Sequence, residues 1–113
     1  MKTWLAATFV LAASASTALA QPADPLKAAV AADNRTVGNV ARDAWRHPYE
    51  TLSFFGLKPT DTVVELTPGG GWYTEILAPY LRDAGQLYAA AGEGGRFKAK
   101  MDSSSVYGKV KLT

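Results

Sequence analysis

The run Val63-Val64-Glu65-Leu66-Thr67-Pro68-Gly69-Gly70-Gly71-Trp72-Tyr73-Thr74-Glu75-Ile76-Leu77-Ala78 limits what this 113-residue chain can fold into more than any other feature. It reads as an apolar strand that ends beside a carboxylate, a glycine turn, and then a helix. The strand, Thr62 to Leu66, is β-branched and almost continuously apolar, the pattern of a parallel strand covered on both faces. Glycines set directly between strand and helix let main-chain N–H groups and a helix N-terminus approach a ligand, because glycine has no Cβ and tolerates positive φ. Glu65 lies within the apolar strand, where a carboxylate is costly unless paired. That cost favours a role at a ligand site over that of a solvated strand-end acid.

Two glycine-loop chemistries compete for this segment. The dinucleotide fingerprint is G-x-G-x-x-G. Counted from Gly69, the second glycine falls at Gly71, but the third place is Thr74, where that fold needs a small residue for close helix-to-strand packing. The segment resembles instead motif I of the class I S-adenosylmethionine-dependent methyltransferases, with Glu65, Gly69, Gly71 and Thr74 at the family's positions. Thr67 stands where the family usually has the first glycine of its turn. The stretches Arg42 to Leu52, Phe54 to Pro59 and Gly70 to Leu77 extend the likeness, over roughly residues 34 to 113, to an exported bacterial branch of that family.

The resemblance implies a Rossmann-like three-layer αβα domain that binds S-adenosylmethionine and transfers its methyl group by in-line displacement to an acceptor the sequence does not identify. It implies that Glu65, Thr67, Gly69, Gly70, Gly71 and Thr74 hold the cofactor. In most class I enzymes the second strand ends in an acid that accepts hydrogen bonds from both ribose hydroxyls. Here that position is Ala91, and Glu93, two residues on, is the candidate to reach in its place. The resemblance implies no catalytic residue and no metal ligand in this stretch.

The N-terminus carries a targeting pattern. Lys2 is followed by the apolar run Trp4 to Ala13, and Ala18-Leu19-Ala20 offers the small residues a signal peptidase reads, so residues 1–20 are expected to be a signal peptide. The apolar run is too short to span a bilayer comfortably, and the absence of Cys excludes a lipoprotein anchor and any disulfide. The product is expected to be periplasmic or secreted, with no stable membrane anchor after cleavage. Without residues 1–20 the chain has 93 residues, 11 basic and 10 acidic, a net charge of +1. That balance gives no nucleic-acid footprint, and Arg96, Lys98, Lys100, Lys109 and Lys111 are expected on solvated faces of a helix and a strand.

Between these ends, residues 21–47 read as a helical extension and 48–113 as a partial Rossmann-like domain. Asp24 and Pro25 can cap and open a helix running to Ala32, Thr36 to Asn39 reads as a turn, and Val40 to Arg46 as a short helix or ordered loop. Pro48 opens a further helix that Gly56 closes, and another is expected over Trp72 to Leu81, with Gly85 just past its end. About three parallel strands fit, Thr62 to Leu66, Gln86 to Ala90 and Lys109 to Thr113. A right-handed βαβ crossover then sets the glycine loop at the carboxyl edge of the sheet. So few strands leave a central strand with an open edge, so the sequence reads as the N-terminal part of a longer protein.

Other residues carry two readings each. His47, the only histidine, is a conceivable base but reads better as a capping or structural residue. Arg42, Asp43 and Arg46 form a charged set that either folds over the cleft or pairs on the surface. Trp72 and Tyr73 either line the pocket or pack the core. The alternative to a methyltransferase is a non-catalytic exported module binding a small molecule on a decayed methyltransferase scaffold; dinucleotide binding by an oxidoreductase is a third.

Overall fold

Asp24 has the chemistry expected of a helix cap: its carboxylate accepts from the N–H groups of Leu26 (3.0 Å) and Lys27 (3.3 Å), two donors that a helix start leaves without partners. The structure, a computed structural model, describes residues 23–92 and 94–113. The expected signal peptide and Glu93 lie outside the described residues. Helix α1 covers Pro25–Val30, α2 Val37–Val40, α3 Asp43–Arg46 and α4 Pro48–Phe54. The Tyr49 hydroxyl donates to the other Asp24 oxygen at 2.7 Å and ties α1 to α4. The segment expected as a turn over Thr36 to Asn39 is the start of α2, whose N–H groups at Asn39 and Val40 both reach the Thr36 carbonyl.

Strand β1 spans Thr62–Leu66, α5 Thr74–Leu81, β2 Gln86–Ala90, α6 Gly95–Asp102 and β3 Lys111–Leu112, with a 3-10 turn at Ser105–Tyr107 before β3. The three strands form one parallel sheet in the order β1-β2-β3. β1 and β2 match the expected bounds; β3 is shorter than Lys109 to Thr113 because only Tyr88 and Ala89 offer it a register. Helix α5 starts at Thr74 rather than Trp72, since the glycines enter it through a tight turn over Pro68 to Gly71, closed by the Gly71 N–H on the Pro68 carbonyl at 2.8 Å.

Alternation along the strands sorts the sheet into two faces. Val63 and Glu65 share one face with Leu87, Ala89 and Leu112, and that face packs into a core built on Ile76, Leu77 and Leu81 of α5, with Leu26 and Ala29 of α1, Leu52 of α4, and Phe97 and Met101 of α6. Each of the larger aliphatic side chains contributes roughly 1.5–3 kcal/mol by leaving water. Among the described residues the opposite face is not covered: Val64 is 58% and Leu66 73% exposed. The expectation of a strand buried on both faces therefore fails for β1. Both crossovers run to the same side of the sheet, so among the described residues the helices form one layer against it, and a second helical layer is not formed.

Two details hold this arrangement together. Pro79 inside α5 has no N–H for the Glu75 carbonyl four residues back, and Asn34 fills the gap, its Nδ2 donating to that carbonyl at 2.9 Å. At Gly85, a Cβ would meet the Asp61 carbonyl at 2.6 Å and the Pro59 carbonyl at 2.7 Å. Only glycine lets the chain leave α5 that close to the entry of β1.

Candidate functional site

The carboxyl end of β1 is built to change direction sharply. After Leu66 the backbone takes positive φ at Thr67 (+48°), Gly69 (+56°) and Gly71 (+79°). Two of these are glycines, for which that region has no steric cost; Thr67 is β-branched and pays one. Position 67, where the resembled family usually has glycine, is thus a left-handed position here. Gly71 also lies against α6: a Cβ there would sit 3.2 Å from Lys100 Cε, so the lysine chain would have to shift by a few tenths of an ångström.

Above this loop lies a cleft of about 400 Å³, lined by Glu65, Thr67, Gly69 and Gly70 from the strand end and loop, Trp72 and Tyr73 from the following turn, and Arg42 and Arg46 from the α2–α3 segment. Four of the expected site residues thus meet in one place. Gly71 and Thr74 are buried beneath it rather than lining it. Ala91 does not line the cleft and packs at the margin of the core.

Glu65 is fixed from below. Its Oε2 accepts from the Thr74 hydroxyl at 2.5 Å, and Thr74 is fully buried. Burial pushes the Glu65 carboxyl up from its ordinary range, and the Thr74 bonds pull part of the way back. The residue that breaks the dinucleotide fingerprint is therefore the one that orients the loop's acid. This is local sequence chemistry, since strand end and first helical residue are brought face to face by the turn between them.

The charged set over Arg42 to Arg46 divides. Asp43 turns inward, pairing bidentately with the buried guanidinium of Arg35, Nη2 to Oδ1 at 2.8 Å, and accepting from Trp72 Nε1 at 3.1 Å. Arg46 stays at the cleft, its guanidinium 4.0 Å from the Trp72 ring centroid and 5.4 Å from that of Tyr73. Trp72 serves both expected roles: it is 3% exposed, donates to the Asn39 carbonyl at 2.9 Å, and forms one wall of the cleft. His47 is the C-cap of α3 and the N-cap of α4, with φ +43°; its backbone N–H donates to the Asp43 carbonyl and its carbonyl accepts from Thr51, while its side chain is exposed and makes no cap hydrogen bond to α4.

Glu75 and Lys100 are the pair that sequence reasoning missed. Lys100 is not on a solvated face: it forms an ion pair with the fully buried Glu75 and donates to the Gly70 carbonyl at 3.2 Å, so α6 braces the loop from behind. Thr36 N–H supplies the second partner of Glu75 at 3.2 Å. An acid on the apolar side of α5 with no basic residue at helical spacing was the available signal. Among the described residues no group of His, Cys, Asp and Glu is arranged to hold a metal ion, and no helix is long and apolar enough to cross a membrane. Comparison of the chain with protein-family models, curated proteins and solved structures gave no match.

Proposed function

We propose that this cleft binds S-adenosylmethionine and that the chain serves an exported methyltransferase of Rossmann-like, class I type. One observation carries the reading: the Glu65 carboxylate, anchored by Thr74, faces a cleft floored by a loop with positive φ at Thr67 and Gly69. Such a floor presents main-chain groups to a ligand at close range, and the acid offers an acceptor for a cationic or hydroxyl group. The sulfonium cofactor supplies an activated methyl group; the residues of this chain bind and orient it, which is much of what an in-line transfer needs. Calorimetric titration with S-adenosylhomocysteine and with NAD tests the proposal. Heat with the first and none with the second is expected, and the reverse result would replace the reading with a dinucleotide site.

A second reading rests on Ala91, which has no carboxylate for a ribose diol. A non-catalytic module for nucleosides or other small ligands would bind adenosine as tightly as S-adenosylhomocysteine. A cofactor site is expected instead to bind S-adenosylhomocysteine about tenfold tighter than adenosine, the worth of one charge-assisted hydrogen bond. Equal affinities in calorimetric titration would favour the module.

A further inference from the structure

Two guanidinium groups line the cleft, and no acid among the described residues pairs with either. The carboxylate nearest to both in sequence, Asp43, is occupied by Arg35 and by the indole of Trp72. Glu65 is the one acid in the lining, and its Oε2 is held by Thr74. Arg46 is held 4.0 Å from the centroid of the Trp72 ring, a contact that restrains the guanidinium without cancelling its charge. A planar cation so restrained presents its N–H fork to a ligand with little further loss of side-chain freedom. Arg42 lies one helical turn away in sequence, on the same cleft.

We propose that Arg42 and Arg46 form an anion subsite that binds a carboxylate or phosphate group of the molecule in the cleft. The geometry of a fork against an oxyanion favours bidentate pairing, and the partly enclosed cleft strengthens it over a surface contact. The anion belongs either to the amino-acid end of the cofactor or to an acidic second substrate. The inference rests on the reading of this cleft as the ligand site, and its test keeps the two apart.

The experiment titrates the full chain with S-adenosylhomocysteine, with methylthioadenosine, which keeps the nucleoside and sulfur but has no carboxylate, and with inorganic phosphate and succinate. Arg42→Glu is the main variant, since Arg42 is exposed; Arg46→Lys keeps the charge but loses the fork, and near-ultraviolet circular dichroism confirms that Trp72 is undisturbed. If the anion is the cofactor's, S-adenosylhomocysteine binds at least tenfold tighter than methylthioadenosine, and Arg42→Glu erases the difference. If it belongs to a second substrate, both nucleosides bind alike, and phosphate or succinate binds the nucleoside-saturated protein until Arg42→Glu abolishes it. Anion binding that depends on Arg42 without any nucleoside binding keeps the subsite and removes the cofactor. Equal nucleoside affinities with no binding of phosphate or succinate overturn the subsite and leave the cofactor reading standing. Affinities unchanged by Arg42→Glu also overturn it, and silence from all four probes removes both.

Discussion

Glu65 carries the conflict between stability and function at its smallest scale. Burial raises its carboxyl pKa, so the folded chain holds that proton more tightly than the unfolded chain. Stability from this group therefore falls as pH rises from the ordinary carboxylate range through the raised value, and stays lower above it. Glu65→Gln keeps an oxygen for the Thr74 hydroxyl and removes the charge. Thermal melts are expected to show an equal or higher Tm at neutral pH with a flatter acid-side profile, while calorimetry shows S-adenosylhomocysteine about tenfold weaker, or about 1.4 kcal/mol. A lower neutral Tm would mean that the charge is stabilised in the fold. Thr67 makes the complementary case. A left-handed threonine costs roughly 1–2 kcal/mol, and the added chain entropy of glycine offsets roughly 0.5–1 of it, so Thr67→Gly should stabilise by up to about 1 kcal/mol in urea unfolding. Destabilisation would show that the side chain, not the backbone, matters there. The sequence marked Glu65, Thr74 and the glycines because strand end, turn and helix start are neighbours along the chain. It did not mark Arg46 against Trp72, which depends on where a separate segment lands.

At the scale of elements, α5 is the member on which the others converge. It packs against α1 and β2, receives Asn34 at its Pro79 gap, and carries the acid that holds α6. The Glu75 side chain is fully buried and that of Lys100 is 19% exposed, so the pair is close to an interior one. Removing one partner leaves an uncompensated charge. Lys100→Met is expected to cost about 3–5 kcal/mol in denaturant unfolding, and adding Glu75→Gln should recover a part of it, because the amide oxygen still accepts from Thr36. A double variant no more stable than the single one would deny the coupling. Element types were largely legible: Asp24-Pro25, Pro48, Gly56 and Gly85 punctuate the helices, and β1 and β2 were bounded by composition. The role of Lys100 was not, since a lysine on a short helix has the same sequence signature whether it meets water or a distant acid.

At the scale of the molecule, the parallel sheet among the described residues ends at β1 with an unpaired edge, and an apolar cleft of about 410 Å³ lies beside it, lined in part by Leu52, Phe55, Val64, Leu66 and Leu77. Phe54 is 86% and Phe55 72% exposed on the same flank. Unpaired strand edges bordered by apolar side chains promote association. Sedimentation velocity over a range of concentrations is expected to show self-association that the double substitution Val64→Lys, Leu66→Lys suppresses without lowering Tm; a wild-type chain that stays monomeric throughout would contradict this. By itself the sequence determined the Asp24 cap, the bounds of β1 and β2, and the turn that joins an acid to a buried threonine, because each is decided by residues within one turn or one strand of each other. Only the tertiary structure decided that Asp43 turns to Arg35 and leaves Arg46 on the cleft, that Lys100 reaches Glu75, and that among the described residues one face of β1 stays open. Those outcomes depend on which segments pack together, and the choice is set by the burial of shared apolar surface rather than by any local pattern.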